Sequence, residues 1–354
     1  MMNALIDADV HITWQDSNVF LSYLPDAWKG RFTQGYGHSE TGFALSQPFF
    51  NPLEAGRPEG ESDPDALLQW MEKTGTTACV LHNWRAPAVG NFGDTIYPGH
   101  LAEAYNRWLC DYWLSRSPSF LGSIVVAPGD PDAAAREIAR AVRACPQVVQ
   151  VSLTPGTLEP YGKPRFRPIF RAAAEHGLAV CLHAGAEGVG VCNPPTSHGW
   201  PRNILEYRVT PSTNFIAHLT SLITEGVFTD FPDLRLLGLE VGGILPLITY
   251  LWRFDKNFKA LRSEAPWLTE LPSAIVRKHI RLGTHSTAIG DPEVYFKLLE
   301  SFGADDMLLW ASNHGRSDAV SSDSDPHLHR EGKWKTAAVA EGNARELYKT
   351  FSPS

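Results

Sequence analysis

Histidine and carboxylate recur where short apolar runs stop. Asp7-Ala8-Asp9-Val10-His11 ends the first run, His82 a second, and Cys181-Leu182-His183 another. Farther on, Glu240 follows Leu236-Leu237-Gly238-Leu239, and His285 follows Gly283-Thr284. The last run trails into Ser312-Asn313-His314-Gly315-Arg316-Ser317-Asp318. Imidazole ligates divalent cations and carries protons near neutral pH, and carboxylate serves either task. A lone histidine of this kind reads more simply as a hydrogen-bonded core residue. Several of them are harder to dismiss, provided that the runs are strands whose ends meet.

The chain supplies such strands. Apolar runs are expected as strands at 4–10, 76–81, 120–126, 148–153, 178–183, 234–240, 280–285 and 307–312. Between them lie stretches with helical spacing, at about 63–71, 101–114, 130–144, 165–176, 213–228, 246–262, 292–302 and 335–351. Asp63-Pro64 and Asp130-Pro131 are helix starts, and Gly177 is a helix stop. Eight strands alternating with helices predict a (β/α)8 barrel of the TIM type, one α/β domain over residues 1–354. In such a barrel the C-terminal strand ends share one mouth, where chemistry sits. Two excursions interrupt the alternation. Residues 14–62 are rich in proline, glycine and aromatics (Phe20, Tyr23, Trp28, Phe32, Tyr36, Phe43, Phe49, Phe50) and read as a packed lid. Residues 193–211, with His198 and Trp200, form a second insertion.

Composition narrows the function. The 354 residues are 43% hydrophobic, enough for a full core. With 31 basic against 39 acidic residues, the net charge of −8 disfavours a nucleic-acid partner. The longest apolar stretch is broken by Glu240, two glycines and Pro246, which argues against a membrane span. Five scattered cysteines without a Cys-x-x-Cys pair, and no visible signal peptide, make a reduced cytoplasmic setting the expectation. The expected partner is a small molecule.

Nearly end to end, from Ala4 to Phe351, the chain resembles the amidohydrolase-related family of the amidohydrolase superfamily, which includes aminocarboxymuconate-semialdehyde and resorcylate decarboxylases. The resemblance is carried by Asp7-Ala8-Asp9-Val10-His11, Glu61-Ser62-Asp63-Pro64, Ala104-Tyr105-Asn106-Arg107-Trp108, Val180-Cys181-Leu182-His183, residues 226–235 and residues 342–348. It implies a metal-assisted barrel enzyme, often a homodimer. The family pattern is His-x-His after strand one, His after strand five, a catalytic His after strand six and Ser-Asp after strand eight. Its ligands hold one divalent metal, zinc or manganese.

This sequence departs from that pattern. His11 and His183 match, but Thr13 stands at the second position of His-x-His. Glu240 replaces the strand-six His, and Asn313 replaces the Asp. Neutral Asn and Thr bind a dication poorly, so His11 and His183 need Glu240, Asn313, His285 or His314 to complete a site. One of Asp7 and Asp9 is expected to support a histidine. Without a metal, Glu240 with His11, His183, His285 and His314 would act as general acid and base, and Arg316 with Asp318 would orient a substrate carboxylate or a His. Trp14, His82, Trp84, Trp200, His218 and Asn313 are the candidate pocket wall. His218 also reads as a helix-start or contact residue, Arg316 to Asp318 as a loop ion pair, and His327 and His329 as solvated loop. The leading expectation is a decarboxylase or carbon–carbon lyase acting on a small aromatic or unsaturated carboxylic acid. The alternatives are a metal-independent catalyst of cyclisation, dehydration or isomerisation, an ester, lactone or amide hydrolase, and a non-catalytic binding protein.

Overall fold

The computed structural model describes residues 4–34, 60–83, 85–285, 290–330 and 334–349. Trp84, the lid aromatics Tyr36, Phe43, Phe49 and Phe50, and the end of the chain beyond residue 349 lie outside the described residues. Eight parallel strands follow in chain order: β1 Leu5–His11, β2 Thr76–His82, β3 Phe120–Val125, β4 Val148–Leu153, β5 Ala179–His183, β6 Leu236–Leu239, β7 Ile280–Gly283 and β8 Leu308–Leu309. Each pairs with the next. The first and last edges meet through Ala8 N–H to Trp310 O (2.9 Å), His11 N–H to His314 O (2.8 Å) and a parallel bridge of Val10 with His314. This closure gives the expected (β/α)8 barrel.

The α-helices are α1 Asp26–Gln34, α2 Pro64–Thr74, α3 Tyr97–Trp108, α4 Pro131–Ala144, α5 Arg167–Glu175, α6 Ile204–Arg208 and α7 Pro211–Thr224. They continue as α8 Val227–Asp230, α9 Leu245–Ala260, α10 Pro272–His279, α11 Pro292–Phe302, α12 Pro326–His329 and α13 Asn343–Leu347. The Asp-Pro starts are true caps. Asp63, Asp130 and Asp291 accept backbone N–H bonds at 2.9 Å from Asp65, Ala133 and Glu293, each worth about 1 kcal/mol.

Three expected elements differ. The helix expected over 213–228 breaks at Gly226, whose φ of 78° ends one helix and starts a short second one. Strand eight is only two residues long, because Trp310 N–H turns to Val339 O instead of the sheet. The closing helix is a wide π-turn at Ala338–Gly342 followed by α13. His327 is buried, contrary to the solvated-loop expectation. Its ring bonds Tyr295 Oη and Asp325 Oδ1, both at 2.8 Å. His329 bonds Ser322 O at 2.8 Å. Among the described residues no helix is long and apolar enough to cross a membrane.

Candidate active site

The side-chain alternation of the strands builds the site. Small and branched residues fill one inner layer: Ile6, Ala8, Ala78, Val80, Ala179, Cys181, Leu237, Leu239, Leu309 and Ala311. Stepping two residues along β2, β5 and the end of β8 reaches His82, His183 and Asn313, so these polar groups crown the same inner face. On β1 a bulge between Asp7 and Val10 resets the alternation. Val10 and Ile12 then join the outer core, and Asp9 and His11 turn inward. Gly315, at φ 89°, lets the chain pass over this strand end; a Cβ there would sit 2.5 Å from His11 O.

Asp9 is the hub of the first cluster. Its Oδ1 lies 3.2 Å from His11 Nε2 and 3.3 Å from His183 Nε2, with all three side chains buried. Burial alone would push the Asp9 carboxyl up, but the imidazoles of His183 and His11 hold it well below the usual range. Burial works against the charged His183, yet Asp9 outweighs it and raises the ring to about 9. Asp7 does not reach the histidines. Its Oδ1 accepts the backbone N–H groups of Asp9 (3.0 Å) and Ser312 (3.1 Å), and burial lifts its pKa to about 7. His82 donates from Nε2 to Ala8 O at 3.1 Å, and burial lowers it to about 3, so it is a neutral imidazole. Ligand atoms of Asp9, His82 and His183 lie within 4.8 Å of one another.

A second cluster adjoins it. Asn313 Nδ2 donates to Glu240 Oε1 (2.7 Å) and Asp318 Oδ1 (2.9 Å), and stands 3.4 Å from His285 Nε2. His285 Nδ1 is 3.6 Å from Glu240 Oε1, and Glu240 Oε2 is 3.9 Å from His183 Nδ1. The two clusters therefore touch. Glu240 and Asn313 both have left-handed backbones, at φ 54° and 58°. Such strain in non-glycine residues is typical of functional sites. It also explains how Glu240 reaches the mouth: Leu239 already faces inward, and the left-handed turn brings the next side chain to the same side.

The second insertion reaches this mouth by two adjacent residues of α6. Tyr207 donates its hydroxyl to Glu187 Oε2 at 3.1 Å, and Arg208 pairs with Asp318 at 3.0 Å. Glu187 is buried, which raises its pKa. The sequence reading missed Glu187, Tyr207 and Arg208; for Tyr207 and Arg208 the only signal was the insertion itself, and Glu187 lies in the loop just before it.

The expected residues thus separate. His11, His183, Glu240, His285, Asn313 and His82 converge. Thr13 pairs its backbone N–H with Glu61 O (2.7 Å), and the carboxylate beside His11 and His183 is Asp9, two residues before His11. His314 is drawn away, stacked on Trp70 of α2 with ring centroids 3.9 Å apart. His218 lies inside α7, with Nε2 on Pro155 O (2.9 Å) and Nδ1 accepting Tyr161 N–H (3.2 Å). Both ring nitrogens fasten the β4 loop, and His218 borders a cavity together with Pro155, Gly156 and Glu187. Trp14 packs edge-on against Phe20 and Trp108. Trp200 is 54% exposed beside Gly188. Arg316 sits on the turn after β8, with its N–H on Asn313 O at 3.1 Å.

The first cluster fits a divalent cation. Asp9 Oδ2, His11 Nδ1 and Asn313 Oδ1 are buried without a hydrogen-bond partner. The Val10–His314 bridge joins the segments that carry Asp9 and Asn313. One carboxylate, two or three imidazoles and an amide oxygen suit zinc or manganese.

The comparisons agree with this architecture. The 5-carboxyvanillate decarboxylase of Sphingomonas paucimobilis superposes with a TM-score of 0.67 at 22% identity, covering 98% of this chain and 99% of that one. An aspartate-to-asparagine variant of the Novosphingobium aromaticivorans 5-carboxyvanillate decarboxylase, with bound manganese and 3-methoxy-4-hydroxy-5-nitrobenzoic acid, gives 0.70 at 21% identity over 98% and 97%. An amidohydrolase from Mycobacterium avium subsp. paratuberculosis gives 0.75 at 17% identity over 98% of each chain. No curated protein matches the sequence significantly. A family profile described as amidohydrolase matches residues 6–350, and the chain therefore belongs to the amidohydrolase family of enzymes.

Proposed function

We propose that this chain is a metal-assisted decarboxylase of a small aromatic carboxylic acid. The observation that carries the reading is the convergence of Asp9, His11 and His183, with orphaned donor atoms, on an acid–base cluster of Glu240 and His285. The aromatic-acid decarboxylases among the structural neighbours support the substrate class. Asp9, His11, His183 and the oxygen of Asn313 would hold the metal. When bound, a dication polarises substrate oxygens and offsets their charge. The carboxylate leaves as CO2 when the bond from ring carbon to carboxyl carbon breaks, and a proton must replace it on the ring carbon. Glu240 and His285 supply that proton, since they face each other across 3.6 Å at the open end of the cluster. Arg316 and Asp318 orient the substrate from the turn after β8.

The expected result is CO2 release from hydroxylated benzoates by manganese- or zinc-loaded protein, abolished by chelation and restored by adding metal back. Turnover that survives exhaustive chelation would instead favour metal-independent acid–base catalysis by Glu240 and His285. The neutral Asn313 beside them is the feature that favours this second reading. A homodimer belongs to the proposal through the family resemblance, and light scattering checks it.

A further inference from the structure

The side chain at position 313 faces two carboxylates. Its amide nitrogen donates to Glu240 Oε1 at 2.7 Å and to Asp318 Oδ1 at 2.9 Å, and the whole residue is buried. The Asn313 amide is thus a neutral donor shared by the two carboxyl groups. Arg208 Nη1 donates to the other oxygen of Asp318 at 3.0 Å, and His285 Nε2 donates to the Asp318 backbone oxygen at 3.0 Å, with its ring close to both the Asp318 and Glu240 carboxylates. The other end of the same amide, Oδ1, is buried and unpartnered, on the segment that bridges to the end of β1 through Val10 and His314.

An aspartate at 313 would replace the donor nitrogen by an acceptor oxygen. Three carboxylates would then crowd within hydrogen-bonding distance in a buried pocket, two contacts turning from attraction to repulsion. The backbone leaves little room for escape, because Glu240 and Asn313 are each held in the left-handed region and joined through their side chains.

We infer that Glu240 and Asp318 impose the neutral residue at 313, so that Glu240 acts as a positioning residue that aims the Asn313 oxygen at the Asp9–His11–His183 cluster. Position 240 and position 313 are then one unit. Changing 313 alone to the aspartate of the family pattern does not build a stronger metal site; changing both does. The metal half of this inference rests on the site proposed above, whereas the pairing of 240 with 313 stands on its own.

The test is a double-mutant cycle of Asn313→Asp and Glu240→Gln, read in two ways at pH 7.5. Chemical denaturation in excess chelator reads the pairing without metal, and titration with manganese(II) chloride reads affinity. The expected result is strong non-additivity. Asn313→Asp destabilises the metal-free protein and leaves the manganese dissociation constant within about threefold of the parent, whereas the double variant regains stability and binds about tenfold tighter. Additive effects in the denaturation cycle would overturn the inference, as would a tenfold gain in affinity from Asn313→Asp alone. If the stability coupling holds but no variant binds manganese, the pairing stands and the metal-assisted reading fails. Should Asn313→Asp not fold, recovery of folded protein by Glu240→Gln or Asp318→Asn supports the pairing, and failure of both to recover it counts against it.

Discussion

Replacing Asp9 by asparagine tests the assignment on which the site depends, because Asp9 is the carboxylate that the two inward-facing histidines share. The change keeps size and shape and removes one charge. At about 3.3 Å, a carboxylate and a protonated imidazole attract by roughly 5 kcal/mol at an effective dielectric near 20. Neutral asparagine recovers several kcal/mol of desolvation that the buried carboxylate suffers. The net loss in metal-free stability is therefore about 1–3 kcal/mol, measurable as a shift in the urea midpoint at constant slope. Metal affinity responds far more. The remaining ligand set of His11, His183 and Asn313 is wholly neutral, and manganese or zinc binding falls by about a hundredfold or more. The assay is metal titration of chelator-treated protein, with elemental analysis of the protein as purified. Parent-like affinity in the Asp9→Asn protein, with its fold intact, would remove Asp9 from the site and with it the argument that the bulge in β1 turns a ligand inward.

Three further outcomes follow from the geometry. Glu240→Gln should lower kcat by about 10²–10⁴ with metal content held, as expected for loss of a group that carries a proton, and a rate within threefold of the parent would reassign that proton to His285. His218→Ala removes two buried hydrogen bonds and the stack on Tyr161 at 4.9 Å; it should cost about 2–4 kcal/mol in chemical denaturation and leave kcat per folded molecule unchanged. His279 is buried neutral against Phe228, with Nδ1–H on Leu234 O at 2.8 Å, and burial lowers it to about 4. Its folded pKa lies below the unfolded value near 6.5, so the unfolded chain takes up the proton first, and stability falls as pH drops from about 6.5 towards 4. The contribution is at most about 3 kcal/mol, and His279→Gln should flatten denaturation midpoints over that window relative to the parent.

How much of this was legible in the sequence follows from what each element needs. The strands of the barrel are buried on both faces, so they read as plain apolar runs, and their polar ends stand out against them; His82, His183, Glu240, His285 and Asn313 were all found that way. Alternation by twos then predicts which of these face inward, but only while the strand stays regular. The bulge between Asp7 and Val10 and the left-handed turns at Glu240 and Asn313 are breaks in that regularity, and no glycine marks them; only the asparagine at 313 is of a type that favours such a backbone. At β1 the bulge decides which of the two aspartates expected to support a histidine does so: Asp9 reaches His11, and Asp7 bonds backbone N–H groups instead. The same argument accounts for His314. Its chain neighbour turns inward, and the alternation sends His314 out to Trp70. Tyr207 and Arg208 were invisible for a different reason. Their helix buries none of its side chains and carries no periodic signal, so only the folded insertion brings them to Glu187 and Asp318. The irregular positions, and not the regular strands, thus decide which residues make up the reactive group: a straight β1 would turn Asp9 out of the inner face, and an ordinary backbone at Glu240 would carry its carboxylate away from Asn313.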